Sequence, residues 1–543
     1  MAALRALLVA SAILLFVDLG ASTIWDANEA FYVETPRQMV LTGDYVNPSF
    51  NGQPRFNKPV LSYWVVAGFY KVMGESVTAE RAAIALGTLL LIGATFAIGR
   101  TLGGPGAGVA SALVIASAPI VMLWSRRIFI DVWFTTFLAL ALMCYVLAEA
   151  HPQRRRRSLV GMYVAIGLAM LTKGPVAIAV PGLALVVHMT LTRTLRDLRV
   201  MMIPIGIVII AAVVAPWYIA DYHQHGWTHI HDFFIGENFD RYTETFGIQN
   251  RPPWFYIPVL LSDLTPWSLF LPAALWLAWR ERRPDLRLMV VWITMFAGVF
   301  TLSKTKQDLY IFPAAPAIAA LIGVLIARSI GTGTGLWNDS VGRLARGGAM
   351  LTALILVAFG AFASQLTWIT NAIPNLRQAA LVGTVLVAGG VIAGILASRA
   401  RLDTVAISLG ATAVLVNWLL VLLVMRPFEV FKPVAPMSEW LRGHANGAVV
   451  AHYKTPLPSM TYYLGRPVTP VFDINAMTSL IDQESSLYVM ARPGDIAEII
   501  AHNAVPVCVV DKRKLPVFDA KLSEITSGHL PEIWLAGIKG ACR

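Results

Sequence analysis

Run after run of apolar residues, most of them near the length that crosses a bilayer and several shorter, constrains this chain more than any other feature. Such windows lie near 4–22, 79–99, 105–124, 128–150, 158–172, 176–192 and 200–220. Six more follow near 256–279, 287–302, 308–327, 347–366, 378–398 and 404–425. A hydrocarbon core of about 30 Å takes roughly 20 apolar residues per helix. Inside lipid a spanning segment must satisfy its own backbone hydrogen bonds, which selects helices for runs of this length. Only 14% of the 543 residues are charged, against about 25% in soluble domains. The expected class is an α-helical polytopic membrane protein with about thirteen transmembrane helices. The first segment, Leu4 to Ala21, carries Asp18 and no clean small-x-small cleavage site. It reads as a retained helix rather than a signal peptide.

Arginine sets the orientation. With the N-terminus inside, the inner loops hold Arg100, Arg154 to Arg157, Arg193, Arg196 and Arg199. Arg280, Arg282, Arg283, Arg287, Arg328, Arg343, Arg346, Arg399 and Arg401 continue the pattern. Positive residues accumulate on the cytoplasmic side, so the long segments 23–78 and 221–255 face outward, as does the tail. The chain divides into a membrane domain, 1–425, and a C-terminal domain, 426–543.

The net charge of +11 therefore reports topology and anionic headgroups rather than nucleic acid. Gly103-Gly104-Pro105-Gly106 sits between two apolar windows as a tight turn, and Gly331 to Gly335 forms an inner linker. Neither follows a strand in a dinucleotide-binding unit. In the tail, Ala448 to Ala451, Leu487 to Met490 and Val505 to Val510 read as strands. Pro493-Gly494-Asp495 starts a helix running to about Asn503, which makes a small α/β domain. Cys144 lies in an apolar window. Cys508 and Cys542 share the tail, as a disulfide if it is extracytoplasmic or as two free thiols.

Charges that defy the arginine bias stand out. The first outer segment opens with Trp25-Asp26-Ala27-Asn28-Glu29 and continues to Arg55-Phe56-Asn57-Lys58. It contains a short helix after Asn28, ended by Pro36, and an amphipathic stretch from Val60 to Met73. Tyr63, Trp64 and Tyr70 of that stretch suit a membrane interface. Arg126, Arg127, Lys173, Lys304 and Lys306 occupy very short outer turns. Either they snorkel to lipid phosphates or they converge on a buried anion. Asp131, one turn inside an apolar window, needs a partner or a wet cavity and favours convergence. Glu29 alone could be a dipole-favoured charge at a helix start.

The order of short motifs carries a resemblance. Trp25-Asp26-Ala27-Asn28-Glu29-x-x-Tyr32 is followed by Thr42-Gly43-Asp44-Tyr45-Val46-x-Pro48 and Arg55-Phe56-Asn57-Lys58-Pro59. Leu171-Thr172-Lys173-Gly174 and Glu237-Asn238-Phe239-Asp240-Arg241-Tyr242 come next. Ser303-Lys304-x-Lys306-x-x-x-Tyr310-x-x-Pro313 completes the set. This sequence resembles the GT-C class of lipid-linked-sugar glycosyltransferases, and most of all the aminoarabinose transferase and protein mannosyltransferase superfamily, over most of residues 1–330.

The resemblance implies a multi-pass bacterial inner-membrane enzyme with its C-terminal domain in the periplasm. It would move a sugar from a polyprenyl phosphate, such as undecaprenyl phosphate, to a lipid, glycan or protein acceptor of the envelope. Modification of lipid A in the manner of the aminoarabinose transferases is one form of this. A flippase of lipid-linked sugar and a protein O-mannosyltransferase are the alternatives. The implied donor-phosphate ligands are Arg55, Lys58, Arg126, Arg127, Lys173, Arg241, Lys304, Lys306 and Tyr310. Substrate contacts fall to Asn28, Tyr32, Asn57, Tyr63, Glu237 and Asn238. The family motif reads Asp-Glu where this chain has Asn28-Glu29. An amide cannot act as a base, so the catalytic carboxylates expected here are Glu29, Asp131 and Asp26. The aminoarabinose transferases carry a Glu and a His, associated with zinc, where this chain has Asn57 and Asn238. Asparagine is a poor zinc ligand, so no metal and no other cofactor is expected there.

Overall fold

The computed structural model describes all residues except 27, 128, 244–250, 333–338, 365–377, 379, 400, 401, 446, 515–529 and 543. The side chains at 238, 239, 241, 330–332 and 364 are likewise outside the described set. Among the described residues, eight helices are long and apolar enough to span a membrane. A ninth span is counted if Pro253–Asp263 and Ser268–Glu281, bent by 113°, act as one. Each apolar window overlaps a helix among the described residues, though the first leaves its helix at Leu14, and several miss these criteria, so thirteen crossings are not established. Ala2–Leu14 and Val176–Thr192 are short, and Arg155–Lys173 begins with three arginines.

The windows at 79–99 and 105–124 lie largely on one long element, Val77–Ser117, broken at Gly103 (φ −142°) and Gly104 (φ +82°). The left-handed φ at Gly104 suits a residue without Cβ, so the glycine turn expected from sequence is real. The helix Ala315–Thr332 packs along this element at very short range. A Cβ on Gly323 would meet Ser111 Oγ at 2.0 Å. The small-residue contact is how two membrane helices without a hydrophobic driving force gain close packing.

Two faces of the bundle differ in their contacts. On one, Arg283 donates to the Leu102 carbonyl (2.6 Å), Arg287 to Leu191 (3.2 Å) and Arg346 to Ser398 (3.0 Å). Arg280 pairs with Asp339, and Arg328 with Glu281. On the other face the first outer segment meets the tail. Thr23 donates its N–H and hydroxyl to Glu429 (2.8 and 2.6 Å), and Ile24 N–H donates to the Tyr463 hydroxyl (2.7 Å). Asn51 exchanges hydrogen bonds with the backbone of Val468, both at 2.7 Å.

The tail builds a five-stranded sheet in the spatial order Thr469–Val471, Val449–Tyr453, Ser486–Ala491, Glu532–Lys539, Val507–Lys514. The first three strands are parallel and the last two pairings antiparallel. The helix Pro493–His502 lies where the sequence places it. Cys508 and Cys542 are disulfide-bonded. Most of the linker expected at Gly331 to Gly335 lies outside the described residues.

Pro36 does not end the first outer helix, which runs unbroken in residue range from Asn28 to Thr42. A proline removes a backbone donor from the ladder, and in the turn before it the Tyr70 hydroxyl donates to the Val33 carbonyl (3.0 Å). Tyr63 and Tyr70 on the neighbouring helix Leu61–Met73 are buried, not at a lipid interface. They pack this helix onto the first.

Candidate active site

Beneath the first outer segment lies a cavity of about 770 Å³, within the roughly 300–1,000 Å³ typical of ligand sites. Its roof is the start of Asn28–Thr42, which contributes Asn28 and Tyr32, and the loop bearing Arg55, Asn57 and Lys58. Arg127 and Asp131 enter from the turn before Phe129–Ala150 and from its first turn. Lys173 ends the helix Arg155–Lys173, and Gly174 (φ +96°) turns the chain away behind it. Helix dipoles favour an anion at the first of these positions and a cation at the second. The π-helical stretch Asp232–Asp240 brings Glu237, and the 3-10 turn Asp308–Ala314 brings Tyr310.

Two ion pairs organise the polar wall. Lys173 Nζ donates to Asp131 Oδ1, with side-chain exposures of 16% and 9%. The same ammonium lies 5.3 Å from the Phe134 ring centroid and 5.1 Å from that of Tyr310, within cation–π range. Lys58 Nζ donates to Glu237 Oε2 (2.9 Å), and Asn57 donates its amide to Glu237 Oε1 (2.9 Å). Arg55 stacks over the Phe31 ring at 3.7 Å. Arg55 Nε and Arg127 Nε are buried without a hydrogen-bond partner. Burial also pulls the Arg127 guanidinium below its usual pKa, since a charge out of water is disfavoured. Burial raises the Tyr32 phenol well above its ordinary pKa, so it stands in the wall as a neutral hydroxyl. The described lining holds four cations, Arg55, Lys58, Arg127 and Lys173, against two carboxylates, Asp131 and Glu237. That is a formal surplus of two positive charges around a partly enclosed space. Anions gain most in such a setting, because the low dielectric strengthens each interaction.

The cavity is not polar throughout. Val176, Ala179 and Val180 of Val176–Thr192 face Val299 and Phe300 of Pro284–Leu302. These apolar residues lead from the charged wall toward the membrane helices.

Several residues expected at the site sit elsewhere. Glu29 is 1% exposed. It accepts two hydrogen bonds from Arg81 (2.7 and 3.1 Å) and one from the Trp25 N–H (2.6 Å). Arg81 also donates to the carbonyls of Leu19, Ser22 and Thr23 (2.8, 2.7 and 2.9 Å). Glu29 thus anchors the start of the outer segment and does not reach the cavity. Asp26 accepts from Ser459 N–H (2.7 Å) and from its hydroxyl, so it docks the C-terminal domain. Arg126 caps the end of the first helix through the carbonyls of Leu14 (2.7 Å) and Val17 (2.5 Å). Tyr63 stacks behind Tyr32 at 5.7 Å and does not line the space. Lys304 is exposed, and Lys306 donates to the Ser303 carbonyl (2.7 Å), both beside the cavity wall rather than in it. The side chains of Asn238 and Arg241 lie outside the described set.

The pair of positions that the resemblance links to zinc does not suit a metal. Asn57 presents an amide that donates to Glu237. Its partner position, Asn238, is also an amide by sequence.

Residues 57–219 match the family model described as dolichyl-phosphate-mannose-protein mannosyltransferase. The chain is 31% identical over 364 residues to an undecaprenyl phosphate-alpha-4-amino-4-deoxy-L-arabinose arabinosyl transferase of Pseudomonas paraeruginosa, covering 65% of this chain and 64% of that protein. A relative of the same description from Pseudomonas aeruginosa (strain UCBPP-PA14) is 31% identical over 360 residues, with the same shares covered. The chain therefore matches just under two thirds of the length of these relatives. In three dimensions it superposes on the crystal structure of ArnT from Cupriavidus metallidurans bound to undecaprenyl phosphate with a TM-score of 0.78. That match covers 98% of this chain and 97% of the other at 22% identity, a likeness of fold.

Proposed function

We propose that this chain, a protein of the GT-C glycosyltransferase superfamily that includes the aminoarabinose transferases and protein mannosyltransferases, moves a sugar from a polyprenyl phosphate to an acceptor of the cell envelope. The observation that carries the reading is the composition of one cavity. Four cations and the Asp131–Lys173 pair line its polar wall, and apolar residues lead from it into the membrane bundle.

A polyprenyl-phosphate sugar is a phosphodiester with one negative charge. When the glycosidic bond to phosphate breaks, the departing phosphate monoester gains charge, reaching about −1.5 to −2 at neutral pH. Fixed cations aimed at that developing charge stabilise the transition state more than the ground state. Lys58, Arg55 and Arg127 are the proposed donor-phosphate ligands, with Tyr310 and Lys173 beside them. Asp131, held in one orientation by Lys173, is the proposed base or positioner for the acceptor oxygen. An acceptor hydroxyl would give its proton to Asp131 as its oxygen bonds the sugar carbon and the phosphate leaves with the electron pair. Asn28, Tyr32 and Asn57 offer hydrogen bonds to sugar hydroxyls.

The apolar channel between Val176–Thr192 and Pro284–Leu302 suits the first isoprene units, and undecaprenyl phosphate is the proposed carrier. The paired cysteines and the arginine-lined opposite face support a periplasmic cavity and C-terminal domain. A lipid A-type glycolipid is the proposed acceptor, on the strength of the arabinosyl transferase relatives. The amides at 57 and 238 point to a sugar handled differently from that of those relatives.

Mass spectrometry of envelope lipids, glycans and proteins from deletion and complemented strains tests the reading. A sugar mass increment lost on deletion and restored by complementation is expected. Unchanged envelope molecules together with donor stalled on one membrane face would favour a flippase instead.

A further inference from the structure

A second cluster of chemistry-bearing side chains lies outside the cavity, where the helix Ile203–His225 leaves the bundle. Asp221 and His225 are four residues apart and so share a helix face. Gly226 (φ +68°) reverses the chain, and the helix Trp227–His231 returns His229 to the same place. One ligand atom from each of Asp221, His225 and His229 lies within 4.8 Å of the others.

Two observations distinguish this cluster from a packed aromatic patch. Asp221 is 2% exposed, and its Oδ1 is buried without a hydrogen-bond partner, as is His229 Nδ1. These two atoms lie 3.6 Å apart, too far for a hydrogen bond. The two atoms are within ion-pair range when the imidazole is protonated; beside a neutral imidazole, a cation between them would satisfy both buried atoms. Second, one ring nitrogen of His225 is already held, Nε2 lying 2.6 Å from Asn47 Oδ1. Asn47 is fixed in turn by Asp44 (2.7 Å) and Gln224 (2.6 Å). Metal-bound histidines characteristically donate their other ring N–H to such an oxygen, which sets the tautomer and orients the ring.

We propose that Asp221, His225 and His229 bind a divalent transition-metal ion, with zinc the best match to two imidazoles and one carboxylate. The site differs from the zinc position implied by the family resemblance, whose two residues here are Asn57 and Asn238. The ion joins the helix Ile203–His225 to the helix Trp227–His231, against which the loop of the cavity roof packs. Phe56 stacks on His229 at 3.7 Å and lies tilted against His225 at 5.1 Å. The next two residues are Asn57 and Lys58, which hold Glu237. The three ligands do not line the cavity, so the metal acts by positioning and leaves three-ligand coordination open to water. It also accounts for the Thr42-Gly43-Asp44 motif, whose turn supports Asn47 from behind.

The test is zinc binding by the full chain in detergent or nanodiscs, purified without a histidine tag and stripped with chelator. Calorimetric titration should give about one zinc per chain, as a single three-ligand site requires, and zinc should raise the unfolding temperature. His225→Gln/His229→Gln should lose both effects, and Asp221→Asn should lose the stabilisation. Asn47→Leu, which removes only the outer support, should weaken binding by about 10–100-fold. His223→Gln/His231→Gln, altering the other histidines of the segment, should keep both effects. Wild-type protein that takes up no stoichiometric zinc overturns the proposal. So does undiminished uptake by His225→Gln/His229→Gln. Unfolding curves without metal identify any variant that has lost its fold, and the Asn47→Leu affinity then decides the matter. All readouts are independent of sugar transfer.

Discussion

The Asp131–Lys173 pair offers the sharpest internal check of the site. Both side chains face the cavity with exposures of 9% and 16%, so neither charge is well solvated when the other is removed. Breaking a fully buried pair costs about 3–5 kcal/mol because one charge is stranded. The cavity admits some water, so about 2–3 kcal/mol is the reasonable figure for Asp131→Asn or Lys173→Met alone. The double variant Asp131→Asn/Lys173→Met strands no charge and should recover to within about 1 kcal/mol of wild type. Activity should behave differently. Each single variant should lose roughly 10²–10³-fold in transfer rate, the scale for one preorganised electrostatic group, and the double variant should recover none of it. Unfolding temperatures in nanodiscs report the first quantity, and release of polyprenyl phosphate from a labelled donor reports the second. Single variants as stable as wild type would refute the energetic argument. A double variant with restored transfer would refute the functional one.

Other expectations follow from the same geometry. Lys58→Ala should reduce transfer by about 10²-fold or more while leaving expression intact, as measured in membrane fractions. Lys432 is buried against Ser22 and Glu429 (3.0 and 3.2 Å), and burial lowers its ammonium from 10.5 to about 8. Between those values the unfolded chain binds a proton that the folded chain does not, so stability rises with pH there. Wild type should therefore gain about 1–3 kcal/mol over Lys432→Met between pH 8 and 10, read from paired thermal melts. The Cys508–Cys542 bond spans 34 residues, and losing a loop closure of that size costs about 3–4 kcal/mol. Cys508→Ser/Cys542→Ser should open the C-terminal sheet to proteolysis at lower temperature, with transfer largely kept.

How much of this was legible in the sequence depended on where each charge finds its partner. Asp131 and Lys173 are legible because a charge beside an apolar window, against the arginine bias, needs a reason, and Lys58 because it stands in the ordered motif Arg55-Phe56-Asn57-Lys58-Pro59. Glu29 was misplaced because its partner is Arg81, 52 residues further on, at the start of a segment that reads only as an apolar span. Arg126 and Arg127 are adjacent and chemically identical, and only the path of the first helix decides which one caps it. Local rules make Pro36 a stop, yet the helix continues to Thr42, packed against Leu61–Met73, a tertiary contact that local rules cannot show. The Asp221, His225 and His229 spacing was visible as Asp-x-x-x-His-x-x-x-His. The turn at Gly226 interrupts the helix, so the sequence alone does not show that the three share one place. The strands Thr469–Val471 and Glu532–Lys539 carry a weak signal, the first for its length and the second for its glycine and lysine.

The central claim is that this cavity transfers sugar from a polyprenyl phosphate. It is tested most directly by purified protein in liposomes with a labelled polyprenyl-phosphate sugar and a lipid A-type acceptor, followed by mass spectrometry. The account predicts matched release of polyprenyl phosphate and gain of one sugar on the acceptor, both lost in Lys58→Ala and Asp131→Asn. Donor that stays chemically intact, or product formed equally by those two variants, would contradict it.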